Sequence, residues 1–460
     1  ARASALAEIS GLIQSALCSH EMHDAILGAE QESSKLSPWQ RANVREARRT
    51  YDGLTAVDPA LLEKKSKLEV TCEYAWRRCR QENDWKGFLP HFKPLFALIR
   101  EEAVQRGAKA GLSPYDALLD LYQPGLSMAL LSSWFPALKS FLKEFIPQCL
   151  ERQKASPDLD WSGRYPVEAQ RAMGLELMKA MGFDFSRGRL DTSTHPFCGG
   201  VPTDVRITTR FSEDECVQSM MGVIHETGHA LYEQHLPRDW AGQPVGYARG
   251  MAVHESQSLF MEMQIACSRP FVEFLHGRFA GHFPTLAERR DFTPETLYRS
   301  ITRVEPGLIR VEADEVTYPL HVILRYEIES ALIDGSLAAE DIPGAWNERM
   351  KAFLGIDTGG NDRQGCLQDI HWPSGALGYF PSYTVGAMIA AQLRASIDRD
   401  VANLDADLAR GDLSGAKAWL LQNVWSQGSV HEGFQELCQA ATGSPLDPKH
   451  FIDHLRRRYG

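Results

Sequence analysis

The chain has 460 residues, enough to bury a large core, and its 60 acidic and 49 basic residues give a formal net charge of −11. This acidic balance argues against a nucleic-acid partner. The nine cysteines are an odd number without paired spacing, which indicates reduced thiols and a cytoplasmic protein. No stretch has the length of a membrane-spanning helix and no signal peptide is visible, so we expect no membrane partner.

Helical patterns dominate the chain, and strand signals are few. Helices are predicted over residues 1–17, 136–146, 215–235, 308–333, 382–410 and 448–459. Pro136 suits the first turn of its helix, whereas Pro319 should kink or split the segment around it. The clearest strand is residues 204–211, in which side-chain character alternates. No linker or repeat divides the chain, so we expect one mainly α-helical domain over residues 1–460 with a small β-sheet.

The run His225-Glu226-Thr227-Gly228-His229 matches the pattern H-E-x-x-H inside the predicted helix 215–235. Residues four apart share a helix face, so both imidazoles can point at one metal ion. The Glu226 carboxylate can hold a water molecule beside that metal and accept its proton. The alternative is a helix with two partly exposed histidines and a solvated glutamate. Apolar neighbours on both sides of the motif instead favour a zinc hydrolase that cuts peptide bonds.

A catalytic zinc ion usually has three protein ligands, so a third residue must come from elsewhere in the chain. Glu255 lies 26 residues after His229, behind a loop rich in glycine and proline, at the start of an apolar segment without proline. Two antiparallel helices would bring Glu255 against the face that carries His225 and His229. His254 is the alternative ligand, and the chemistry of the two side chains leaves both open.

Residues 368–384 are too rich in proline, glycine and aromatic residues for a regular helix and predict a loop that lines a pocket. Tyr379 and Tyr383 are candidate donors to the oxyanion that forms when water attacks a carbonyl group, and His371 can donate there or orient a ligand. The alternative for each aromatic residue is ordinary packing.

Six motifs, taken in chain order, resemble those of the carboxypeptidase Taq (M32) family of metallocarboxypeptidases. They are His195-Pro196-Phe197, residues 204–208 (DVRIT), residues 225–229 (HETGH), residues 254–257 (HESQ), residues 309–314 (IRVEAD) and residues 365–372 (GCLQDIHW). The resemblance implies a zinc-dependent or cobalt-dependent enzyme that releases single residues from peptide C-termini. It also implies a gluzincin-like helical fold with a deep groove, and a homodimer.

The resemblance further implies roles for individual residues. It makes His225, His229 and Glu255 the metal ligands and Glu226 the catalytic base. It also assigns residues of the remaining motifs to substrate binding: His195, Pro196, Phe197, Asp204, Arg206, Arg310 and His371. Finally, it implies a helical segment before Ala1 that would help to wall the groove.

Several of these substrate-binding residues have simpler alternatives. Arginine suits the free C-terminal carboxylate of a peptide because its planar fork bonds both oxygens, and Arg310 is the preferred candidate over Arg249 and Arg325. Its alternative is a surface ion pair with Asp314, four residues on. Asp204 and Arg206 share a strand face, and the strand pattern by itself favours a solvated ion pair there.

Two other functions remain open at this point. The first is a related zinc oligopeptidase, which cuts internal peptide bonds and therefore needs no residue that binds a free C-terminal carboxylate. The second is a catalytically inactive peptide-binding protein on the same scaffold. The presence of Glu226 together with all three candidate ligands argues against the second.

Overall fold

The structure, a computed structural model, describes residues 2–155, 159–193 and 196–460, and only the backbone of residues 2–8 and 10. The described chain is mainly α-helical, as predicted, with one three-stranded sheet. The helices that precede the sheet are α1 (Arg2–Leu17), α2 (His20–Gln31), α3 (Pro38–Thr55), α4 (Pro59–Glu82), α5 (Trp85–Ala110), α6 (Pro114–Tyr122), α7 (Met128–Gln153) and α8 (Val167–Met181).

The sheet consists of β1 (Gly188–Thr192), β2 (Phe197–Val201) and β3 (Asp204–Thr209). Its order is β1-β3-β2, with β3 parallel to β1 and antiparallel to β2. Val205 and Ile207 of β3 are fully buried in a small apolar cluster, while Asp204 and Arg206 face outward. The predicted strand is therefore confirmed, although it ends at Thr209.

The chain after the sheet is again helical. Its helices are α9 (Val217–His235), α10 (Met251–Leu259), α11 (Arg269–His282), α12 (Pro284–Ala287), α13 (Pro294–Ile301), α14 (Tyr318–Asp334), α15 (Ile342–Leu354), α16 (Pro381–Asp400), α17 (Leu404–Leu408), α18 (Ser414–Asn423), α19 (Phe434–Thr442) and α20 (Lys449–Tyr459). A π-helical segment, Phe260–Ala266, continues α10 directly. The main cluster of buried apolar side chains includes residues from α4 at one end to α20 at the other.

Two of the predicted helices differ from the observed ones at their ends. Helix α7 begins at Met128, where the Ser127 side chain accepts a hydrogen bond from the Leu130 amide, so Pro136 lies inside the helix and not in its first turn. The buried residues Leu131, Trp134 and Phe135 explain the longer helix, because their packing outweighs the lost backbone hydrogen bond. The predicted helix 382–410 ends at Asp400, and α17 follows separately.

The predicted helix 308–333 is confirmed only from Tyr318 onward: the expected break at Pro319 is present, but residues 308–317 form no α-helix. A single 3-10 turn, Arg310–Glu312, comes first, and α14 then begins at Tyr318 with Pro319 in its first turn. Within the part of the chain that the structure describes, no helix is both long enough and apolar enough to span a bilayer. All nine cysteines are free thiols.

Helix α10 lies between α9 and α16, and glycines allow the close approach on both sides. A Cβ atom on Gly228 would lie 2.4 Å from the carbonyl oxygen of Gln257 and 2.6 Å from the Cα atom of Ser258. A Cβ atom on Gly386 of α16 would lie 3.1 Å from the side chain of Glu255. Gly228 therefore sets how near the two histidines of α9 come to Glu255.

We expect Gly228→Ala to destabilise the protein, because the new methyl group meets backbone atoms that cannot move aside independently. Overpacking of this kind costs about 1–3 kcal/mol of unfolding free energy. Gly222→Ala on the same helix is the matched control, since its Cβ atom would meet only the Thr209 hydroxyl at 3.7 Å. The control should gain up to about 1 kcal/mol from lower backbone entropy in the unfolded state. Chemical denaturation measures both, and equal stability of the two variants would contradict the close packing.

Candidate active site

Helices α9 and α10 bring His225, His229 and Glu255 together as a cluster with metal-ligand spacing. One potential ligand atom from each residue lies within 4.8 Å of the other two. A Glu255 carboxylate oxygen is 3.2 Å from Nε2 of His229 and 3.9 Å from Nε2 of His225. Both imidazoles therefore turn the same nitrogen toward one carboxylate, as the predicted pair of antiparallel helices requires.

The opposite nitrogen of each imidazole has a partner of its own. Nδ1 of His225 lies 2.7 Å from the carboxylate of Glu262, and Nδ1 of His229 lies 3.1 Å from the backbone oxygen of His254. Donation from Nδ1 leaves the Nε2 lone pair of each ring free for a cation. Sequence reasoning missed Glu262, although its position seven residues after Glu255 along a helical segment placed it on the same side.

His254, the alternative third ligand, lies behind His229. Its Nδ1 is 2.7 Å from Nδ1 of His229, and its Nε2 is 2.8 Å from a carboxylate oxygen of Glu233. Among the described residues, the cluster with metal-ligand spacing includes Glu255 and leaves His254 out. His254 therefore contacts His229 on the side away from Glu255 and links it to Glu233.

The donor set fits a divalent metal ion. Two imidazole nitrogens and one carboxylate oxygen are the ligands of many catalytic zinc sites, and imidazole also suits cobalt. Burial raises the pKa of Glu255, but His225, His229 and His254 outweigh burial and lower it to about 2, so the carboxylate is ionised. Glu226 and Glu262 add further negative charge close by. A dication would neutralise this excess of carboxylates.

Glu226 lies beside the donor set on α9, with 8% of its surface exposed. Burial raises its pKa to about 7, and the neighbouring Glu255 and Glu262 act in the same direction. Burial raises the pKa of the Cys198 thiol on β2, and the charge of the Glu226 carboxylate raises it further. Glu226 therefore lies near β2. A carboxylate with a pKa near neutrality is suited both to accept and to donate a proton.

Arg310 is buried, with 4% of its surface exposed, and the structure pairs it with Asp369 rather than with Asp314. Its guanidinium group lies 2.9 Å from the Asp369 carboxylate, donates to the Tyr318 hydroxyl at 3.1 Å, and stacks 4.7 Å from the ring centre of Tyr383. Asp314 instead accepts hydrogen bonds from the first backbone amides of the turn that leads into α14. The alternative of a surface ion pair therefore does not hold.

The other two candidate arginines are also held in buried ion pairs with carboxylates. Arg325 donates to the second oxygen of Asp369 at 2.8 Å. Arg249 forms a two-point ion pair with Glu46 on α3, with distances of 2.7 and 3.0 Å. Together, Arg325 and Arg310 hold the pKa of Asp369 well below its usual range despite burial.

His371, Tyr379 and Tyr383 form one aromatic cluster next to Arg310. Nε2 of His371 is 3.1 Å from the Tyr383 hydroxyl, and the rings of the two tyrosines lie 5.3 Å apart. Burial raises the pKa of Tyr383 to about 12 and that of Tyr379 further, and the charge of Glu255 contributes to both shifts. Both hydroxyls are therefore protonated donors within electrostatic reach of the donor set. Burial lowers the pKa of His371 to about 3, so its ring is neutral.

The loop that carries this cluster is shorter than predicted. Residues 368–380 are irregular, but α16 already begins at Pro381, which places Tyr383 in its first turn. Tyr318, Asp369 and Tyr122 belong to the site and carried no role in the sequence analysis. Tyr122 contacts Tyr379 edge-on at 4.9 Å and lines a cavity of about 1060 Å³ between α3, α5, α6 and the segment before α10. This space is large enough for part of a peptide.

The remaining predicted substrate residues lie on and beside the sheet. Pro196 and Phe197 are exposed, at the start of β2. Asp204 and Arg206 form an ion pair of 2.7 Å, with about half of each side chain exposed. This is the solvated pair that the strand pattern by itself favoured. His195 lies outside the described residues.

Comparison with known proteins agrees with this geometry. A family model described as carboxypeptidase Taq (M32) metallopeptidase matches residues 1–459. The chain is 39% identical to thermostable carboxypeptidase 1 of Thermus thermophilus over 426 residues, which are 91% of this chain and 82% of that protein. It is 34% identical to carboxypeptidase 1 of Bacillus subtilis, over 100% of this chain and 90% of that one.

Solved structures of carboxypeptidases also match the whole chain. The structure of Trypanosoma cruzi metallocarboxypeptidase 1 matches with a TM-score of 0.97 and 44% identity, covering 100% of this chain and 92% of that chain. The M32 carboxypeptidase from Deinococcus radiodurans R1 matches with a TM-score of 0.93 and 31% identity, covering 100% of this chain and 91% of that chain. The chain therefore belongs to the carboxypeptidase Taq (M32) family of metallopeptidases, which are peptide hydrolases.

Proposed function

We propose that the protein is a zinc-dependent carboxypeptidase, with cobalt as the alternative metal, that removes single residues from peptide C-termini. The observation that carries this proposal is the position of Arg310. This buried guanidinium group stacks on Tyr383, whose hydroxyl is within electrostatic reach of Glu255 in the donor set. A cation in this position supports a carboxypeptidase, because it can bind the free C-terminal carboxylate of a peptide whose last bond is cut.

His225, His229 and Glu255 would hold the metal. When bound, it supplies a Lewis acid that polarises the carbonyl group of the substrate and lowers the pKa of the attacking water. Glu226 accepts the proton of that water and passes it to the leaving amine nitrogen, which its pKa of about 7 allows in both directions. Tyr379 or Tyr383 donates a hydrogen bond to the negative charge that develops on the carbonyl oxygen.

Arg310 has donors to spare for a substrate carboxylate. A guanidinium group carries five N–H donors. Asp369 accepts from Nε and Nη2, and Tyr318 accepts from Nη1, which leaves one N–H on each terminal nitrogen. Asp369, held in turn by Arg325, fixes the plane of the guanidinium group. A terminal carboxylate can then bond both remaining N–H groups at once.

We also propose that the enzyme is a homodimer and acts in the cytoplasm. The family resemblance supports the homodimer, and the nine free thiols support a reducing compartment. The named carboxypeptidases among the relatives favour this activity over the oligopeptidase and the inactive binding protein.

The first prediction concerns the metal. We expect one zinc or cobalt ion per chain, and we expect His229→Ala to lose it because a ligand is missing. His254→Ala is the matched control: at saturating metal it should keep one ion per chain, since it removes only a partner of His229. Elemental analysis of dialysed protein measures both. The ligand assignment fails if the two variants bind metal in the opposite order.

The second prediction concerns the proton acceptor. Glu226→Gln should keep the metal and lose about two to four decades in kcat, because the amide cannot take a proton. Glu215→Gln, at a carboxylate that precedes α9 and bonds the Gln218 amide, is the control and should retain activity. Turnover and metal content are measured on the same samples. Near-normal turnover in Glu226→Gln would assign the proton transfer to another residue.

The third prediction concerns the binding of the substrate's C-terminal carboxylate by Arg310. Wild type should cleave a peptide with a free C-terminus far better than the same peptide amidated there. Arg310→Ala should lose most of that preference, about 10- to 150-fold, because a charged hydrogen bond is worth roughly 1.5–3 kcal/mol. Arg349→Ala, which removes an arginine paired with Glu327, is the control and should keep the preference.

The result of this third experiment distinguishes the carboxypeptidase from the oligopeptidase. Equal cleavage of both peptides by wild type would favour the oligopeptidase. Discrimination that survives in Arg310→Ala would keep the carboxypeptidase and assign the binding of the carboxylate to another cation.

A further inference from the structure

Helix α14 turns one polar face toward the irregular segment 365–380. Tyr318, Arg325 and Glu329 are seven and then four residues apart, so they lie along one side of the helix. Tyr318 accepts a hydrogen bond from Arg310, and Arg325 holds Asp369. The first contact involves Arg310, which we propose binds the substrate carboxylate, and the second involves Asp369, which holds Arg310. Glu329 has no part in that binding.

Glu329 is a fully buried carboxylate that accepts three hydrogen bonds. One oxygen accepts from Nε1 of Trp372 at 2.7 Å. The other accepts from the backbone amide of Gly378 and from the Tyr115 hydroxyl, both at 2.8 Å. Two of the three donors therefore belong to the segment 365–380.

The two donors from the segment lie next to the proposed oxyanion donors. Trp372 directly follows His371, and Gly378 directly precedes Tyr379. The second point of attachment is also tight, because a Cβ atom on Gly378 would lie 2.8 Å from the backbone carbonyl carbon of Leu118 on α6. Outside helices and strands, a chain segment has few repeating hydrogen bonds of its own, so such attachments determine where its side chains lie.

We propose that Glu329 is a positioning residue for peptide hydrolysis, which fixes the segment 365–380 on both sides and so places His371 and Tyr379. This inference rests on the proposed function for its effect on turnover. Its structural part, the attachment of the segment to α14, stands independently of that function.

The position requires a carboxylate and not merely a side chain of its shape. Both oxygens of Glu329 face N–H donors of the segment. A carboxamide would turn its NH₂ group toward either Trp372 or Gly378, and one attachment would be lost. Burial raises the pKa of Glu329 to about 7, against the effect of these three donors and Arg325, so keeping its carboxylate ionised at this position costs unfolding free energy.

The experiment compares Glu329→Gln with Tyr115→Phe. The first variant removes one attachment of the segment, whereas the second removes the donor from α6 and leaves both attachments in place. For each holoenzyme, kcat and KM are measured on a peptide with a free C-terminus, together with metal content and amide hydrogen exchange. We expect Glu329→Gln to lose up to about 100-fold in kcat, as small misplacements of reacting groups can cause, with KM near the wild-type value. Tyr115→Phe should stay within about threefold of wild type, because no reacting group moves.

Hydrogen exchange supplies a readout that does not depend on catalysis. In Glu329→Gln, exchange should become faster within residues 365–380 and stay unchanged in α9 and α10. Unchanged kcat and exchange would overturn the proposal, and faster exchange throughout the chain would do so too, because it indicates general destabilisation. If Glu329→Gln does not fold, Trp372→Phe tests the same attachment from the segment's side, with the same expected and contrary results. Wild type that fails to hydrolyse the peptide would refute the proposed function, while the exchange comparison still decides the attachment.

Discussion

The active site depends on the close approach of α9 and α10. The two imidazoles of α9 and the carboxylate of α10 form a donor set only because their helices touch through Gly228, where a methyl group would collide with the backbone of the partner helix. On the far side, Gly386 lets α16 come equally close to Glu255. The geometry of the donor set therefore depends on the backbone packing of these helices.

The cost of burying charge is the second constraint, and three buried carboxylates offset this cost in different ways. Glu255 lies between two imidazoles, which lower its pKa and leave a negative site for a cation. Asp369 lies between Arg310 and Arg325. Glu329 accepts from three neutral donors, and no ion pair joins it to another of the described residues. Because an unpaired charge in the interior is costly, each arrangement strongly limits where its neighbours lie.

Long apolar patterns and backbone breakers were sufficient to predict most elements near the site. The helix with the H-E-x-x-H pattern, the strand 204–209 and the break before Pro319 all appear in the structure. Element ends were less predictable: α7 continues through Pro136, where buried packing outweighs local preference, and α16 ends at Asp400, ten residues before the predicted end.

The sequence by itself determined the histidine pair on α9, the adjacent carboxylate and, through its motifs, the family. These features are local or depend on residue identity, so spacing and composition reveal them. Only the tertiary structure grouped Glu255, and not His254, with the two histidines of α9, paired Arg310 with Asp369 instead of Asp314, and placed Glu262 beside His225 and Glu329 beside Trp372. Each of these contacts joins different secondary-structure elements, and the direction of approach between two elements is set by the packing of the whole core, which no local pattern records.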